Sequence, residues 1–229
     1  MRPTLPSRLP QLIIWDCDGV LIDSERIAAR VHARVLNRLG RQISAKTILK
    51  RFGGRADKDL YADLEQEFGL PLPNGYHASV QEGIAQLYRS TLKATRGIRD
   101  VLGIVRTRSK ICVASNSSPE KLRLGLAVTG LDDLFLPYVF SAAQVNRGKP
   151  APDLHLFAAN ELDVAPSECL VVEDSVNGVM AGVRAGMTVI GFSMHSQHRD
   201  EQARHLLAEG AVAVAHRPAE LLNLIGRTK

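Results

Sequence analysis

Short apolar runs alternate with longer amphipathic stretches along most of this chain. The runs typical of buried strands are 12–15, 110–114, 138–140, 169–173, 188–192 and 211–215. Helical periodicity lies between most of them, over 119–129, 153–162, 176–185, 197–209 and 218–225. Strands that are apolar on both faces and alternate with helices favour the α/β class, a parallel sheet with helices on both faces.

The interval between the first and second predicted strands breaks this alternation. It shows only helical periodicity, over 24–39, 44–52, 57–68 and 77–92. A crossover between parallel strands needs only about a dozen residues. We therefore expect a helical domain, 24–95, inserted into a Rossmann-like core formed by 1–23 and 96–229.

The composition is that of an ordinary globular protein, with 45% hydrophobic and 23% charged residues in 229. No run approaches about 18 consecutive apolar residues, and the first run is too short for a secretory signal, so neither a membrane span nor export is expected. The three cysteines, Cys17, Cys112 and Cys169, lie in or beside apolar runs. Buried, reduced thiols in a cytoplasmic protein are the plain interpretation.

Positive charge is concentrated in the predicted helical insertion. The segment 26–58 has ten Lys or Arg residues and one acid, whereas the whole chain carries a net charge of +5. Arg26, Arg30, Arg34 and Arg38 recur every four residues and so share one helical face. A solvated face is the leading interpretation, ahead of a field that attracts anionic metabolites, and a nucleic-acid surface is disfavoured because interleaved aromatic residues are missing.

Two carboxylates follow the first predicted strand, where Trp15 precedes Asp16, Cys17, Asp18 and Gly19. In an open parallel sheet, ligands bind at the carboxyl ends of the strands. Like charges this close repel each other, and a hard cation or a shared proton relieves the repulsion. A strand-end turn with aspartates in local hydrogen bonds is the alternative.

Polar groups also follow the next three predicted strands. They are Ser115 and Asn116 after the second strand, Lys149 after the third, and Glu173 and Asp174 at the end of the fourth. Each has a structural explanation when taken alone, as a helix cap, a solvated lysine or a polar turn. Their convergence at one edge of one sheet indicates an active site.

These motifs resemble those of the haloacid dehalogenase-like hydrolases. The matching elements, in order and spacing, are Asp16-Cys17-Asp18-Gly19-Val20 with Asp23, Ser115-Asn116, Gly148-Lys149-Pro150 and Glu173-Asp174. The resemblance spans nearly the whole chain, and the helical insertion is similar to the family's α-helical cap of the first type. Within the family, Asp23-Ser24-Glu25 and the run 148–153 resemble the β-phosphoglucomutase-like sugar phosphatases.

The resemblance implies a Mg²⁺-dependent phosphatase that acts on a small phosphorylated metabolite. Asp16 would be the nucleophile that forms an aspartyl-phosphate. Asp18 would protonate the leaving alcohol and then deprotonate the water that frees the phosphate. Haloacid dehalogenases proper lack the acid at the Asp18 position and need no metal, so this acid favours phosphate chemistry.

The resemblance also implies how the metal and the phosphate are bound. Mg²⁺ would be held by Asp16, the backbone carbonyl of Asp18 and Asp174, with Glu173 beside them. The phosphoryl group would meet Ser115, Lys149, Asn116 and Gly19, where Lys149 offsets the repulsion between two anions.

The family's cap carries substrate specificity, and three residues of the insertion are candidates for it. Paired glycines let the backbone of Gly54 approach a ligand, and Arg55 can bind a carboxylate or phosphate; a solvated turn is the alternative. Glu25 follows the first linker and could face the site. The resemblance and this charge together predict a small sugar phosphate or phosphorylated sugar acid as the substrate.

Two other functions stay open at this point. The β-phosphoglucomutases carry a cap histidine that would fall at Ala28, so a phosphomutase is less favoured than a phosphatase. A non-catalytic binding protein is disfavoured because every catalytic position is intact. We expect no nucleic-acid or membrane partner, and a monomer or weak dimer.

Overall fold

A computed structural model describes residues 9–52, 57–196 and 198–226. One sheet of six parallel strands has the order β3-β2-β1-β4-β5-β6. The strands are β1 (Leu12–Trp15), β2 (Lys110–Ser115), β3 (Val139–Ser141), β4 (Cys169–Glu173), β5 (Thr188–Phe192) and β6 (Ala213–Ala215). The predicted α/β class and Rossmann-like sheet are confirmed. The last strand is shorter than predicted, since Ala211 N–H still bonds the Leu206 carbonyl at the preceding helix end.

The helices follow the predicted pattern closely. They are α1 (Glu25–Arg38), α2 (Ala45–Phe52), α3 (Asp57–Phe68), α4 (Tyr76–Thr91), α5 (Ile98–Val105), α6 (Pro119–Thr129), α7 (Asp132–Phe135), α8 (Asp153–Glu161), α9 (Val176–Arg184), α10 (Arg199–Ala208) and α11 (Pro218–Gly226). The helices α5 and α7 were not predicted; α7 has only four residues, about one turn, which is too short to show helical periodicity.

The two faces of the sheet support separate apolar cores. Along β1, Ile13 and Trp15 belong to one core and Leu12 and Ile14 to the other, as the two-residue period of a strand requires. The first core continues into the helices between β1 and β2, whereas the second is closed by α8 and α9. A strand buried on both faces needs the continuous apolar run seen in the sequence.

Helices α1 to α4 lie between β1 and β2 and are called the helical segment below. The two linkers to this segment run side by side, because Ile22 forms a bridge with Ala94 and Thr95 N–H bonds the Leu21 carbonyl at 2.8 Å. Both linkers therefore meet the core beside the loop that follows β1. The four arginines of the predicted charged face are exposed.

The structure bears on two expectations drawn from the composition, the state of the cysteines and the presence of membrane-spanning helices. Cys17, Cys112 and Cys169 are buried and form no disulfide. In the part of the chain that the structure describes, no helix is both long and apolar enough to cross a membrane.

Candidate active site

The loop after β1 is a tight turn that places two aspartates at the sheet edge. Asp16 N–H bonds the Val172 carbonyl at 3.0 Å, which extends the β1–β4 ladder by one residue. The Leu21 N–H then bonds the Cys17 carbonyl at 3.0 Å and closes the turn. Asp16 is therefore held by the sheet itself and is buried.

Gly19 is required in this turn for two reasons. Its φ of +83° is a conformation that side-chain-bearing residues rarely adopt. A Cβ atom at this position would also lie 1.9 Å from Oδ2 of Asp174. The glycine thus brings the β1 loop against the carboxylate that follows β4.

Lys149 joins three strands of the sheet through its ammonium group. Its Nζ donates to Oδ1 of Asp16 at 2.6 Å, to the Ala114 carbonyl at 2.7 Å and to Oε1 of Glu173. Burial opposes the charge, but the carboxylates of Asp16 and Glu173 outweigh it and raise the pKa of Lys149. The lysine is therefore a fixed positive charge beside the predicted nucleophile.

Asn116 fixes the backbone that carries Lys149. Its Oδ1 accepts a hydrogen bond from Lys149 N–H at 2.9 Å, and its Nδ2 donates to the Lys149 carbonyl at 3.1 Å. This pair of hydrogen bonds resembles the pairing between two strands and fixes the backbone position of Lys149. Asn116 also lines the cavity described below.

Three carboxylates converge at the sheet edge. Oxygen atoms of Asp16, Glu173 and Asp174 lie within 4.8 Å of one another. Oε2 of Glu173 accepts hydrogen bonds from Ser175 N–H at 3.2 Å and Ser175 Oγ at 3.1 Å, so its orientation is fixed. Gly178 makes room for this carboxylate, because a Cβ there would lie 1.9 Å from its carbon.

The charge balance of this cluster fits a hard cation. Burial raises the pKa of Asp16, and the Lys149 charge only partly offsets that effect. Desolvation raises the pKa of Asp174 too, and the nearby carboxylates of Glu25 and Asp16 add to the rise. Three carboxylates against one ammonium leave an excess of negative charge, which a divalent ion with oxygen ligands would neutralise.

Asp18 occupies a different environment from these acids. Its carboxylate accepts hydrogen bonds from Ser117 Oγ at 2.6 Å and from Ser24 Oγ, and Lys121 Nζ lies 3.4 Å from Oδ1. Burial opposes ionisation of Asp18, but Lys121, Ser117 and Ser24 outweigh it and lower the pKa. Ser115 Oγ lies 3.4 Å from Oδ2. The Asp18 carboxylate is not one of the three in the convergent cluster.

A cavity of about 90 Å³ lies between the sheet edge and the helical segment. Its floor consists of polar side chains from the core, namely Asp16, Asp18, Ser115, Asn116, Ser117, Lys121, Lys149, Asp174 and Ser175. Its roof is supplied by the helical segment and consists of Glu25, Ala28, Ala29, His32, Ile48, Leu49, Leu60 and Ile84. One water molecule needs roughly 10–15 Å³ on the same measure, so the cavity has room for a small metabolite.

The structure brings most of the predicted site residues to this cavity. Among them, Glu25 lines the roof, and Glu173 lies behind the floor as a partner of Lys149. Gly54 and Arg55 lie outside the described residues.

The lining residues that sequence reasoning missed include Ser117, Lys121 and His32. Ser117 lies in the loop between β2 and α6, and Lys121 lies in the first turn of α6, so a search of the loop and first helical turn after each strand would have found both. His32 had no such signal, since its place depends on how α1 packs against the core.

Comparison with known proteins agrees with this geometry. A model of the haloacid dehalogenase-like hydrolase family matches residues 10–186. The chain is 30% identical to the Escherichia coli (strain K12) 6-phosphogluconate phosphatase over 183 residues, which covers 80% of this chain and 82% of that protein. It is also 30% identical to a Thermotoga maritima phosphorylated carbohydrates phosphatase over 220 residues, 94% of this chain and 98% of that one.

A solved structure has the same fold. A haloacid dehalogenase-like protein of unknown function from Agrobacterium tumefaciens aligns with a TM-score of 0.79 and 35% identity, covering 94% of this chain and 97% of its own. The match includes both the sheet and the helices between β1 and β2. The chain therefore belongs to the haloacid dehalogenase-like hydrolases.

Proposed function

We propose that this protein is a Mg²⁺-dependent phosphatase that hydrolyses a small sugar phosphate or phosphorylated sugar acid through an aspartyl-phosphate. The observation that carries the proposal is the position of Asp16. Its carboxylate lies at the floor of the cavity, 2.6 Å from the Lys149 ammonium and within the carboxylate cluster. A nucleophilic oxygen, a fixed positive charge and a group of carboxylates that could bind a metal ion thus lie next to one another, as phosphoryl transfer requires.

In the first step, an oxygen of Asp16 attacks phosphorus and the bond to the leaving alcohol oxygen breaks. Lys149 stabilises the negative charge on the transferring phosphoryl oxygens and reduces repulsion between two anions. Ser115 and Asn116 are proposed to donate hydrogen bonds to the same oxygens, whereas the N–H of Gly19, also predicted to bind phosphate, donates to the Ile22 carbonyl at 2.8 Å. The product is an aspartyl-phosphate and an alcohol.

Asp18 is proposed to move the protons. Without substrate the lowered pKa keeps Asp18 ionised. The negative charge of a bound phosphate is proposed to raise this pKa, so that the carboxyl gives a proton to the leaving alcohol oxygen and the resulting carboxylate takes one from the water that attacks phosphorus. The second step frees inorganic phosphate and restores Asp16. Ser117, Ser24 and Lys121 hold the carboxylate of Asp18 near the floor between these transfers.

The carboxylates of Asp16, Glu173 and Asp174, together with the backbone carbonyl of Asp18, would hold Mg²⁺. Bound there, the ion supplies positive charge that keeps the carboxylate of Asp16 ionised and stabilises phosphoryl oxygens.

The helical segment is proposed to act as a cap, residues 24–95, over a core of residues 1–23 and 96–229. A cavity of about 90 Å³ between core and cap suits a small metabolite better than a folded phosphoprotein. Glu25, Gly54 and Arg55 are proposed to contact the substrate. Relatives named as phosphatases of 6-phosphogluconate and of phosphorylated carbohydrates support a sugar phosphate.

A screen of phosphorylated metabolites with Mg²⁺ present tests the proposal. The panel includes 6-phosphogluconate, hexose phosphates, nucleotides and a phosphopeptide, and released phosphate is measured. We expect sugar phosphates to be hydrolysed fastest. Faster hydrolysis of the phosphopeptide, or phosphate transfer between sugar positions without release, would contradict the proposed function.

A further inference from the structure

His32 is a buried polar side chain in an otherwise mostly apolar roof. In the described part of the helical segment, the polar side chains that line the cavity are those of His32 and Glu25. The remaining lining residues of that segment are Ala28, Ala29, Ile48, Leu49, Leu60 and Ile84. His32 is 3% exposed, so it meets the cavity and not bulk solvent.

The orientation of the His32 ring is fixed by its neighbours. Nδ1 lies 2.8 Å from the hydroxyl oxygen of Tyr76, which is itself 1% exposed. Tyr61 packs edge-on against Tyr76, with ring centroids 5.8 Å apart and an interplanar angle of 87°. A ring that is held on one nitrogen presents the other nitrogen in a fixed direction.

The proton positions follow from the partners. Among the described residues, the Tyr76 hydroxyl has one hydrogen-bond partner, Nδ1 of His32, and a buried hydroxyl proton without an acceptor is costly. The hydroxyl therefore donates to Nδ1. Burial lowers the pKa of His32 to about 4, so the ring is neutral at pH 7 and its proton sits on Nε2.

Two observations support placing Nε2 toward the cavity. His32 lines the cavity, and its Nδ1 is occupied by the contact with Tyr76, which leaves Nε2 as the ring nitrogen available to a ligand. In the part of the chain that the structure describes, both ring nitrogens of His155 are buried without a partner, whereas Nε2 of His32 is not among such atoms.

We infer that His32 is a specificity-determining residue whose Nε2–H donates a hydrogen bond to an uncharged hydroxyl or ring oxygen of the substrate's sugar part. The inference rests on the proposed function and assigns one contact within it. Glu25, which lines the same roof, disfavours a second substrate anion there by charge repulsion, so an uncharged oxygen is the better acceptor for this donor. The adjacent apolar residues suit the C–H face of a sugar.

Two substitutions of His32 distinguish loss of the hydrogen-bond donor at Nε2 from loss of the imidazole ring. The amide of glutamine reaches about as far as Nε2, whereas that of asparagine reaches only as far as Nδ1. We expect His32→Asn to lower kcat/KM for glucose 6-phosphate or 6-phosphogluconate, whichever the wild-type protein hydrolyses faster, by about 3- to 10-fold. His32→Gln should retain more of this activity. Phenyl phosphate, which has no hydroxyl to accept the bond, should change less than about twofold with either variant.

His77→Asn is the matched control. His77 contacts Tyr61 with its ring tilted by 57°, in the same aromatic group, but it is exposed and does not line the cavity. This variant should leave both substrates unchanged. Tyr76→Phe keeps the ring packing and removes the hydroxyl that holds His32, so it should also lower the rate of sugar phosphate hydrolysis. It therefore tests the inference even if His32→Asn does not fold.

The outcomes separate the inference from the proposed function. Equal losses for the sugar phosphate and phenyl phosphate, or no loss for either in His32→Asn and Tyr76→Phe, would overturn the role of His32 while the phosphatase proposal stands. A wild-type protein that hydrolyses phenyl phosphate but neither sugar phosphate would overturn the proposed substrate class, and the inference with it.

Discussion

The ammonium nitrogen of Lys149 lies 2.6 Å from Oδ1 of Asp16, and both side chains are buried at the carboxyl edge of the sheet. The contact joins the loop after β3 to the loop after β1, which are 133 residues apart in sequence. It gives the proposed nucleophile a positive neighbour before any substrate arrives. An anionic substrate can therefore approach an anionic oxygen at a lower electrostatic cost.

Replacing Asp16 with asparagine removes the nucleophile with little change of shape. We expect Asp16→Asn to reduce phosphate release to the background rate while circular dichroism and thermal unfolding still report a folded protein. Asp133→Asn is a suitable control, because Asp133 is an exposed aspartate paired with Arg99 away from the site. Near-wild-type turnover in Asp16→Asn would contradict the mechanism.

Removing divalent cations should abolish the phosphatase activity reversibly. The cluster of Asp16, Glu173 and Asp174 has more negative charge than Lys149 balances, so a cation is needed to keep all three carboxylates ionised. We expect EDTA to abolish phosphate release and added Mg²⁺ to restore it. Activity that survives exhaustive chelation would show that the proposed metal site is wrong.

Arg55→Ala tests the proposed contact in the glycine-flanked segment. Loss of a charge-assisted hydrogen bond should cost about 1–3 kcal/mol in kcat/KM for the best sugar phosphate. Hydrolysis of p-nitrophenyl phosphate, which offers the arginine little to bind, should change little. If both substrates lose rate equally, Arg55 is not a specificity residue, and if neither changes, it does not contact the substrate.

The lowered pKa of His32 predicts that the folded protein loses stability in acid. Burial lowers its pKa to about 4 in the folded protein, against 6.5 for an ordinary histidine. The unfolded chain therefore binds more protons between these values, so the stabilisation is complete above pH 6.5 and is lost as the pH falls toward 4. Comparing urea unfolding at pH 7 and pH 4.5, we expect His32 to account for a decrease on the order of 2–3 kcal/mol.

The control for this prediction is His32→Gln, in which the titrating group is removed. Burial also lowers the pKa of His155, and this second histidine contributes equally to both proteins. The variant should thus show a smaller decrease between the two pH values than the wild type. Identical decreases would show that His32 does not titrate abnormally.

The sheet and the floor of the site could be predicted from the sequence because their signals are local. A strand buried on both faces must be continuously apolar, and the residue after such a strand lies at the ligand-binding edge. Asp16 and Asp174 were found by this rule, and both line the cavity. Lys149 lies several residues beyond β3 and was identified from the family's Gly148-Lys149-Pro150 motif. The pairing of distant loops then follows from the order of parallel strands.

The roof of the cavity could not be predicted in the same way. Its lining depends on how α1 to α4 pack on the core, and amphipathic helices look alike in sequence whether they face solvent, core or ligand. His32 and Tyr76 lie 44 residues apart, and their contact exists only in the folded segment. The Asn116 amide, likewise, gave no sign that it would bind the backbone of Lys149.

The central claim is that Asp16 carries the phosphoryl group as a covalent intermediate. With p-nitrophenyl phosphate as the substrate, whose leaving group needs no proton from Asp18, Asp18→Asn should let this intermediate accumulate, because loss of the general base slows the second step by about 10²–10⁴-fold. The measurement is mass spectrometry of that variant, quenched in acid after mixing with substrate and Mg²⁺ and then digested. We predict one phosphate on the peptide that contains Asp16 and none in Asp16→Asn. A wild-type enzyme that turns over, paired with an Asp18→Asn variant that never shows this modification, would contradict the account.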